Sequence, residues 1–183
     1  MSLVSYNELC EFVVRGVVEG VALQDVNGTS IDVHLGSTIM VERQLVPGVK
    51  GRVVSLRDKQ ALDMHTVHLD GGFFDLAPGE FILAHTAEKF NLPADVSAEF
   101  KLNSSGARIG LENALATWCD PHWHGSVLTL ELKNLTRFHT IRLHDGCRIG
   151  QMIFHKAEPV PVDRGYAVRG RYNSDSTVSG VKA

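Results

Sequence analysis

SVLTLELKNLTRFHTIRLHDGCRIGQMIFH, residues 126–155, decides the fold class. Apolar side chains alternate or cluster in short runs at Ser126–Leu132, Thr140–Leu143 and Gln151–His155, with Lys133-Asn134 and His144-Asp145-Gly146 between them. A period of two marks a strand with one buried face, and Asn, Asp and Gly supply the backbone conformations of tight turns. Working outward, Ser30–Leu35, Thr38–Val41, Gly51–Val54, Phe73–Leu76, Phe81–His85 and Glu99–Leu102 read the same way. So many short strands predict a mainly β chain: a sandwich, a jelly roll or a distorted β-barrel.

Two segments depart from that period. Ser5 followed by Glu8 reads as a capping box, and Leu9, Phe12 and Val13 form an apolar stripe that ends at Gly16, so a short helix is expected there. From Ser104 to about Leu115 the spacing lengthens toward helical. Residues 1–160 are expected to form one domain. Residues 161–183 are polar and rich in Gly and Ser, which reads either as a disordered tail or as a flexible lid.

The 183 residues include 44% apolar and 21% charged side chains, the balance of a globular domain. A net charge of −3 argues against a nucleic-acid partner, which needs a clustered Lys/Arg excess. MSLVSYNELCEF at the start lacks the basic stretch and apolar run of a signal peptide, and no window approaches the roughly 20 apolar residues of a membrane span. A cytoplasmic protein with no membrane partner is expected. Cys10, Cys119 and Cys147 are widely spaced, without a C-x-x-C pair, and read as buried small apolar residues.

Cys119, His122 and His124 form C-x-x-H-x-H, but a structural zinc needs a fourth ligand, and Pro121 and Trp123 would have to bend the turn sharply, so no metal ligand is assigned. Zinc-dependent base deaminases carry H-x-E and P-C-x-x-C; none of the nine histidines here is followed by x-Glu. Any base chemistry of that kind in a chain without those motifs needs a carboxylate of raised pKa to activate water. Glu131 is the candidate. Alternation puts it on one face with Val127 and Thr129, opposite three leucines, in a strand apolar enough to desolvate it. The alternative is a wetted face, or an ion pair with Arg108 or Arg142. Ser104, Ser105 and Arg108 offer hydroxyls and a guanidinium near a helix start, suited to an anion, although a serine there also serves as a cap.

Seven segments, in order, resemble the deoxycytidine triphosphate (dCTP) deaminase family of the dUTPase-like superfamily: NGTSIDVHLG (27–36), PGEFILA (78–84), LPAD (92–95), SSGARIGL (104–111), DPHWHG (120–125), TLELKN (129–134) and RIGQMIF (148–154). The dUTPase branch has an apolar residue three positions before the strand-ending Asn, where this chain has Glu131 before Asn134. The resemblance implies a dUTPase-like, β-clip fold, a distorted barrel or jelly roll with a few short helices, assembled as a homotrimer with active sites between subunits.

It implies zinc-independent hydrolysis of the cytosine amino group of a deoxycytidine nucleotide, first of all dCTP. Glu131 would act as general acid and base, Ser104 would position the water, Arg108 would hold Glu131, and Thr117 would contribute its backbone carbonyl. Asp120 and Trp123 would meet the deoxyribose, Ser105 and Gln151 the phosphates. A tail carrying Tyr166, Arg171 and Tyr172 would close over the nucleotide, with Mg²⁺ on its phosphates. dTTP becomes a candidate inhibitor. Two alternatives go with this reading: a bifunctional enzyme that continues to dUMP and pyrophosphate with Asp120 helping to activate the second water, or a catalytically silent nucleotide-binding regulatory trimer.

The chain also departs from the family. Asn103 stands where a basic residue precedes the serine pair, and Asp175 stands where a Gln follows the tail tyrosine. Lys101, Arg169 or Arg171 are the cations that could compensate, and a different phosphate number or a modified base becomes an open substrate choice. The Arg108–Asp120 stretch is one residue short and the Gly125–Glu131 stretch one long, so the turn between them is rebuilt.

Overall fold

Alternating burial along the longest strands sets the architecture. In His124–Asn134, Leu128, Leu130 and Leu132 are buried in the core while Glu131 and Thr129 are half-buried on the other face. The computed structural model describes residues 2–43, 48–114 and 116–182. Within them the strands are β1 (Ser2–Leu3), β2 (Val18–Glu19), β3 (Ile31–His34), β4 (Thr38–Glu42), β5 (Met64–His68), β6 (Phe73–Leu76), β7 (Phe81–Asn91), β8 (Val96–Leu102), β9 (Leu111–Asn113), β10 (Trp118–Cys119), β11 (His124–Asn134), β12 (Ile141–His144) and β13 (Arg148–Lys156). Three short helices accompany them: α1 (Tyr6–Val14), α2 (Ser104–Arg108) and α3 (Tyr166–Arg169).

The chain is mainly β, and its sheets are antiparallel. One sheet runs β1-β13-β8-β10 with β3 also on β13; a second runs β5-β4-β7-β11-β9 with β2 on β7; β12 and β6 pair separately. Between the two larger sheets lies a core of Ile31, Val33, Leu35, Ile82, Phe90, Phe100, Leu130, Leu132, Met152 and Phe154, closed at one end by Leu9 and Phe12 of α1. Phe12 meets Phe154 edge-on at 5.5 Å. Each such side chain contributes roughly 1.5–3 kcal/mol through burial. No helix among the described residues is long and apolar enough to cross a membrane.

Several expectations change in detail. Ser5 is the N-cap of α1 but makes no side-chain cap bond; Glu8 instead accepts from Lys156 at 2.5 Å, so the ion pair wins over the capping box. Gly51–Val54 is not a strand, and Val53 is 90% exposed. α2 is shorter than the helix read from the spacing. Gly110, at φ +88°, ends it against Thr136, and the chain turns directly into β9; the expected end at Leu115 lies outside the described residues. Alternation alone did not single out β5, because MHTVH carries polar residues on both faces. Cys119 is buried as expected, whereas Cys10 and Cys147 are half-buried against the core.

Candidate active site

β11 and the turn before it build the site. From His124 to Ser126 β11 advances two residues while its partner β7 moves one, from Asn91 to Phe90. A β-bulge at Gly125, whose φ of +65° glycine adopts without strain, opens the stretch read as one residue long, and a second irregularity follows it, where two steps from Val127 to Thr129 face four on β7, from Lys89 to His85. Beyond it Val127, Thr129 and Glu131 line a cavity of about 500 Å³, with Trp123 and Cys119 from the turn and Tyr166, Tyr172 and Asp175 from the tail. Met40, Leu83 and Phe81 supply an apolar wall.

Glu131 is the polar centre of that wall. Its backbone is fixed on both sides, N–H to Asn113 Oδ1 at 2.9 Å and C=O to the Ala114 N–H at 3.0 Å. Its Oε2 is buried and has no hydrogen-bond partner among the described residues. Burial pushes its carboxyl up to about 7, against a small opposing effect of its own backbone N–H. The ion pair with Arg142 considered from sequence does not form. Arg142 reaches Asp75 instead, with bonds of 2.7 and 2.8 Å, because β12 and β6 pair those two residues directly.

Trp123 is buried, stacked on Phe90 at 5.6 Å and 16°. Its indole N–H donates to the Tyr172 carbonyl at 2.7 Å. Ser126 Oγ also donates to that carbonyl, at 3.0 Å, and Val127 N–H donates to the Asp175 carbonyl at 2.8 Å. These backbone contacts seat residues 172–175 on β11 without an amphipathic pattern in the tail, and beyond them Val178 is the only deeply buried residue among those described. Asp175 is held by Ser179 Oγ at 3.0 Å and paired with Lys182.

The other sequence-identified residues sit apart from this cavity within one chain. Ser104, Ser105 and Arg108 are exposed on α2, outside its lining. The helix cap is Asn103, which accepts from Gly106 N–H at 2.6 Å and donates to the Arg148 carbonyl at 2.9 Å, so neither serine hydroxyl is spent on capping. Thr117 lies between two lining residues and its carbonyl accepts from Phe100 N–H at 3.2 Å. Gln151 accepts from Ser30 Oγ at 2.6 Å, and exposed Arg171 donates to the Lys182 carbonyl at 3.5 Å. Asp120 is exposed and outside the lining, accepting from the indole N–H of Trp118, a lining residue, at 3.0 Å. Trp118 itself lines the cavity and was not singled out from sequence; its i, i+2 spacing from Asp120 on an extended segment was the available signal.

The C-x-x-H-x-H residues diverge. Burial drives the Cys119 thiol pKa far up, so it lines the cavity as an uncharged apolar group. His122 Nε2 lies 3.1 Å from the Val160 carbonyl, and His124 is exposed. Among the described residues no three His, Cys, Asp or Glu side chains come together as a metal site.

Comparison with known proteins gives a consistent answer. A family model described as dCTP deaminase-like matches residues 7–157. A Methanoregula boonei protein named dCTP deaminase, dUMP-forming, is 34% identical over 134 residues, 73% of this chain and 69% of its own. A protein of the same name from Methanothermobacter thermautotrophicus is 27% identical over 173 residues, 91% of this chain and 84% of that one. The crystal structure of 2′-deoxycytidine 5′-triphosphate deaminase from Agrobacterium tumefaciens superimposes with a TM-score of 0.64 at 22% identity, over 84% of this chain. That likeness is one of fold, and this chain spans 48% of the length of the Agrobacterium chain. With the family model covering most of the sequence, the chain belongs to the dCTP deaminase-like family.

Proposed function

We propose that this protein hydrolyses the 4-amino group of a deoxycytidine nucleotide, dCTP first of all, releasing ammonia. The observation that carries the reading is the buried Oε2 of Glu131, without a partner among the described residues, on a carboxyl whose pKa is raised to about 7. Such a group both accepts and returns a proton near neutral pH. Glu131 takes a proton from water as its oxygen bonds to C4, and delivers that proton to N3. The proton of the new C4 hydroxyl then moves through Glu131 to the amine, the C4–N bond breaks as C4=O forms, and ammonia leaves. No zinc is required. The names of the relatives support dCTP as the substrate.

In this reading the site is completed by another copy of the chain in a homotrimer. Exposure of Ser104, Ser105 and Arg108 on α2 supports that arrangement, since Glu131 lacks in its own chain the serine and arginine that would position water and steady its charge. The Thr117 carbonyl, one lone pair of which already accepts from Phe100 N–H, would offer the other to the water or the leaving ammonia. Trp123 and Asp120 would contact the deoxyribose, Ser105 and Gln151 the phosphates, and Mg²⁺ would travel with the phosphates as part of the substrate. Residues 1–160 form the catalytic body in this scheme, and residues 161–183 a tail that closes Tyr166, Arg171 and Tyr172 over the nucleotide.

A second reading carries the product onward. The relatives are named dUMP-forming, and Asp120, bonded to the lining residue Trp118, offers an exposed carboxylate to activate a second water against the α-phosphorus. Chelator-treated protein with Mg²⁺ and dCTP, dCDP, dCMP or CTP, assayed for ammonia and pyrophosphate, tests both readings. Ammonia alone means simple deamination, ammonia with pyrophosphate the two-step reaction. Binding without turnover of any of the four would overturn both in favour of a silent nucleotide-binding trimer.

A further inference from the structure

β10 is only two residues long, but it fixes a specific pair. Its pairing with β8 sets Trp118 opposite Glu99 and Cys119 opposite Ala98. Cys119 turns inward, 4% exposed, while Trp118 turns outward, 53% exposed. Asp120, two residues on from Trp118, projects to the same side, as extended backbone requires. Indole Nε1 then donates to Asp120 Oδ1 at 3.0 Å.

The indole is itself braced from behind. It stacks on His155 of β13 at 5.8 Å and 26°, and His155 Nε2 lies 3.3 Å from Glu99 Oε1, whose other oxygen takes Lys101 at 2.9 Å. Lys101 and His155 hold the Glu99 carboxyl below its ordinary range, so Glu99 is ionised at neutral pH. Trp118 therefore presents its N–H from a rigid sheet rather than from a mobile loop. It engages one oxygen of Asp120, and among the described residues no hydrogen bond occupies Oδ2.

We propose that Trp118 is a positioning residue for Asp120 and thereby sets how much of the deaminated nucleotide is carried on to dUMP. The inference rests on the two-step reading above. In the second step Asp120 Oδ2 accepts a proton from water while the water oxygen bonds to the α-phosphorus. The bond between that phosphorus and the α–β bridging oxygen breaks, and Mg²⁺-bound pyrophosphate leaves with the electron pair. The indole N–H keeps the carboxylate turned so that one oxygen is occupied and the other faces the water. Glu131, not Asp120, handles protons in the first step, so loss of the indole N–H should fall mainly on the second.

Trp118→Phe keeps the ring against His155 and removes the donor. Pyrophosphate and ammonia are measured in the same single-turnover reaction, with full-length protein in excess over Mg²⁺-dCTP. The expected result is a pyrophosphate-to-ammonia ratio lowered about tenfold, the size of one lost hydrogen bond to a charged group. Asp120→Asn should lower the ratio at least as far, and adding Trp118→Phe to it should change nothing more. A purely structural role would lower the melting temperature and leave the ratio alone. An unchanged ratio in Trp118→Phe, with a wild type that releases both products, overturns this proposal and spares the two-step reading. A wild type that releases ammonia without pyrophosphate overturns the two together.

Discussion

Glu131 stands directly opposite Leu83 in the β11–β7 pair, so the nearest cross-strand neighbour of the proposed catalytic carboxylate is aliphatic. Met40 of β4 is in turn opposite Leu83, which extends the apolar surface a second strand away. A carboxylate on that surface loses hydration and gains no cation, which is why its pKa rises to about 7. The ionised form is the one that takes a proton from water. Ammonia release measured as kcat against pH should therefore climb to a plateau, with a midpoint near 7 that moves lower as Arg108 of a neighbouring copy approaches Glu131, and Glu131→Gln should lose about 100- to 10,000-fold in turnover while still binding nucleotide. A profile flat from pH 5 to 9, or a Gln variant near wild-type rate, would rule out this role.

The same desolvation bears on stability. Glu131 binds its proton more tightly folded than unfolded, so its contribution is fully present below the unfolded pKa near 4.5 and is lost as pH rises through about 7. Glu131→Gln removes the charge that must be buried above that point. Its stability relative to wild type should increase between pH 5 and pH 8 by on the order of 1–2 kcal/mol, a partial return on a group that solvent still reaches. Denaturant melts at the two pH values check this; a variant equally affected at both would show that burial is not the source of the shift.

Much of this was legible beforehand because period-two burial is a local property. Alternation placed Glu131 on the face opposite Leu128, Leu130 and Leu132, and the structure keeps Leu130 and Leu132 there, while Leu128, inside the irregularity at Val127–Thr129, reaches both the core and the cavity. The extra residue before Glu131 was countable in the sequence, but the two irregularities of that stretch, at Gly125 and at Val127–Thr129, depend on where β7 runs. Non-local competition was what the sequence hid. Lys156 draws Glu8 away from the cap, Asp75 draws Arg142 away from the site, and Asn103 takes the capping role that pattern gave to serine. The seating of the tail was equally hidden, since it uses backbone carbonyls that any residue carries.

That seating makes Trp123 a hinge point for the tail. Its N–H to the Tyr172 carbonyl is a half-buried bond worth about 0.5–1.5 kcal/mol, and the ring also fills the space beside Phe90. Trp123→Phe should speed amide exchange in residues 172–178 several-fold and raise KM for the nucleotide about tenfold, with a smaller change in kcat. Unchanged exchange in that segment would mean the tail is held by its bonds to His124, Ser126 and Val127 without the indole.

Arg108 and Glu131 are placed differently with respect to the cavity, one exposed on α2 and the other at its floor. If sites form between copies, a subunit carrying Arg108→Ala still offers a sound Glu131, and a subunit carrying Glu131→Gln still offers a sound Arg108. Each variant alone should be nearly inactive, because removing either partner of a proton-handling pair costs orders of magnitude. Co-refolded at equal amounts, the two should recover on the order of a quarter of wild-type activity, since random mixing leaves about one junction in four with both residues intact. Activity of the mixture is read against each variant refolded alone, with the assembly size measured by light scattering. A mixture no more active than its parents, in particles of three chains, would mean that Arg108 serves the Glu131 of its own subunit and that α2 must move to reach it.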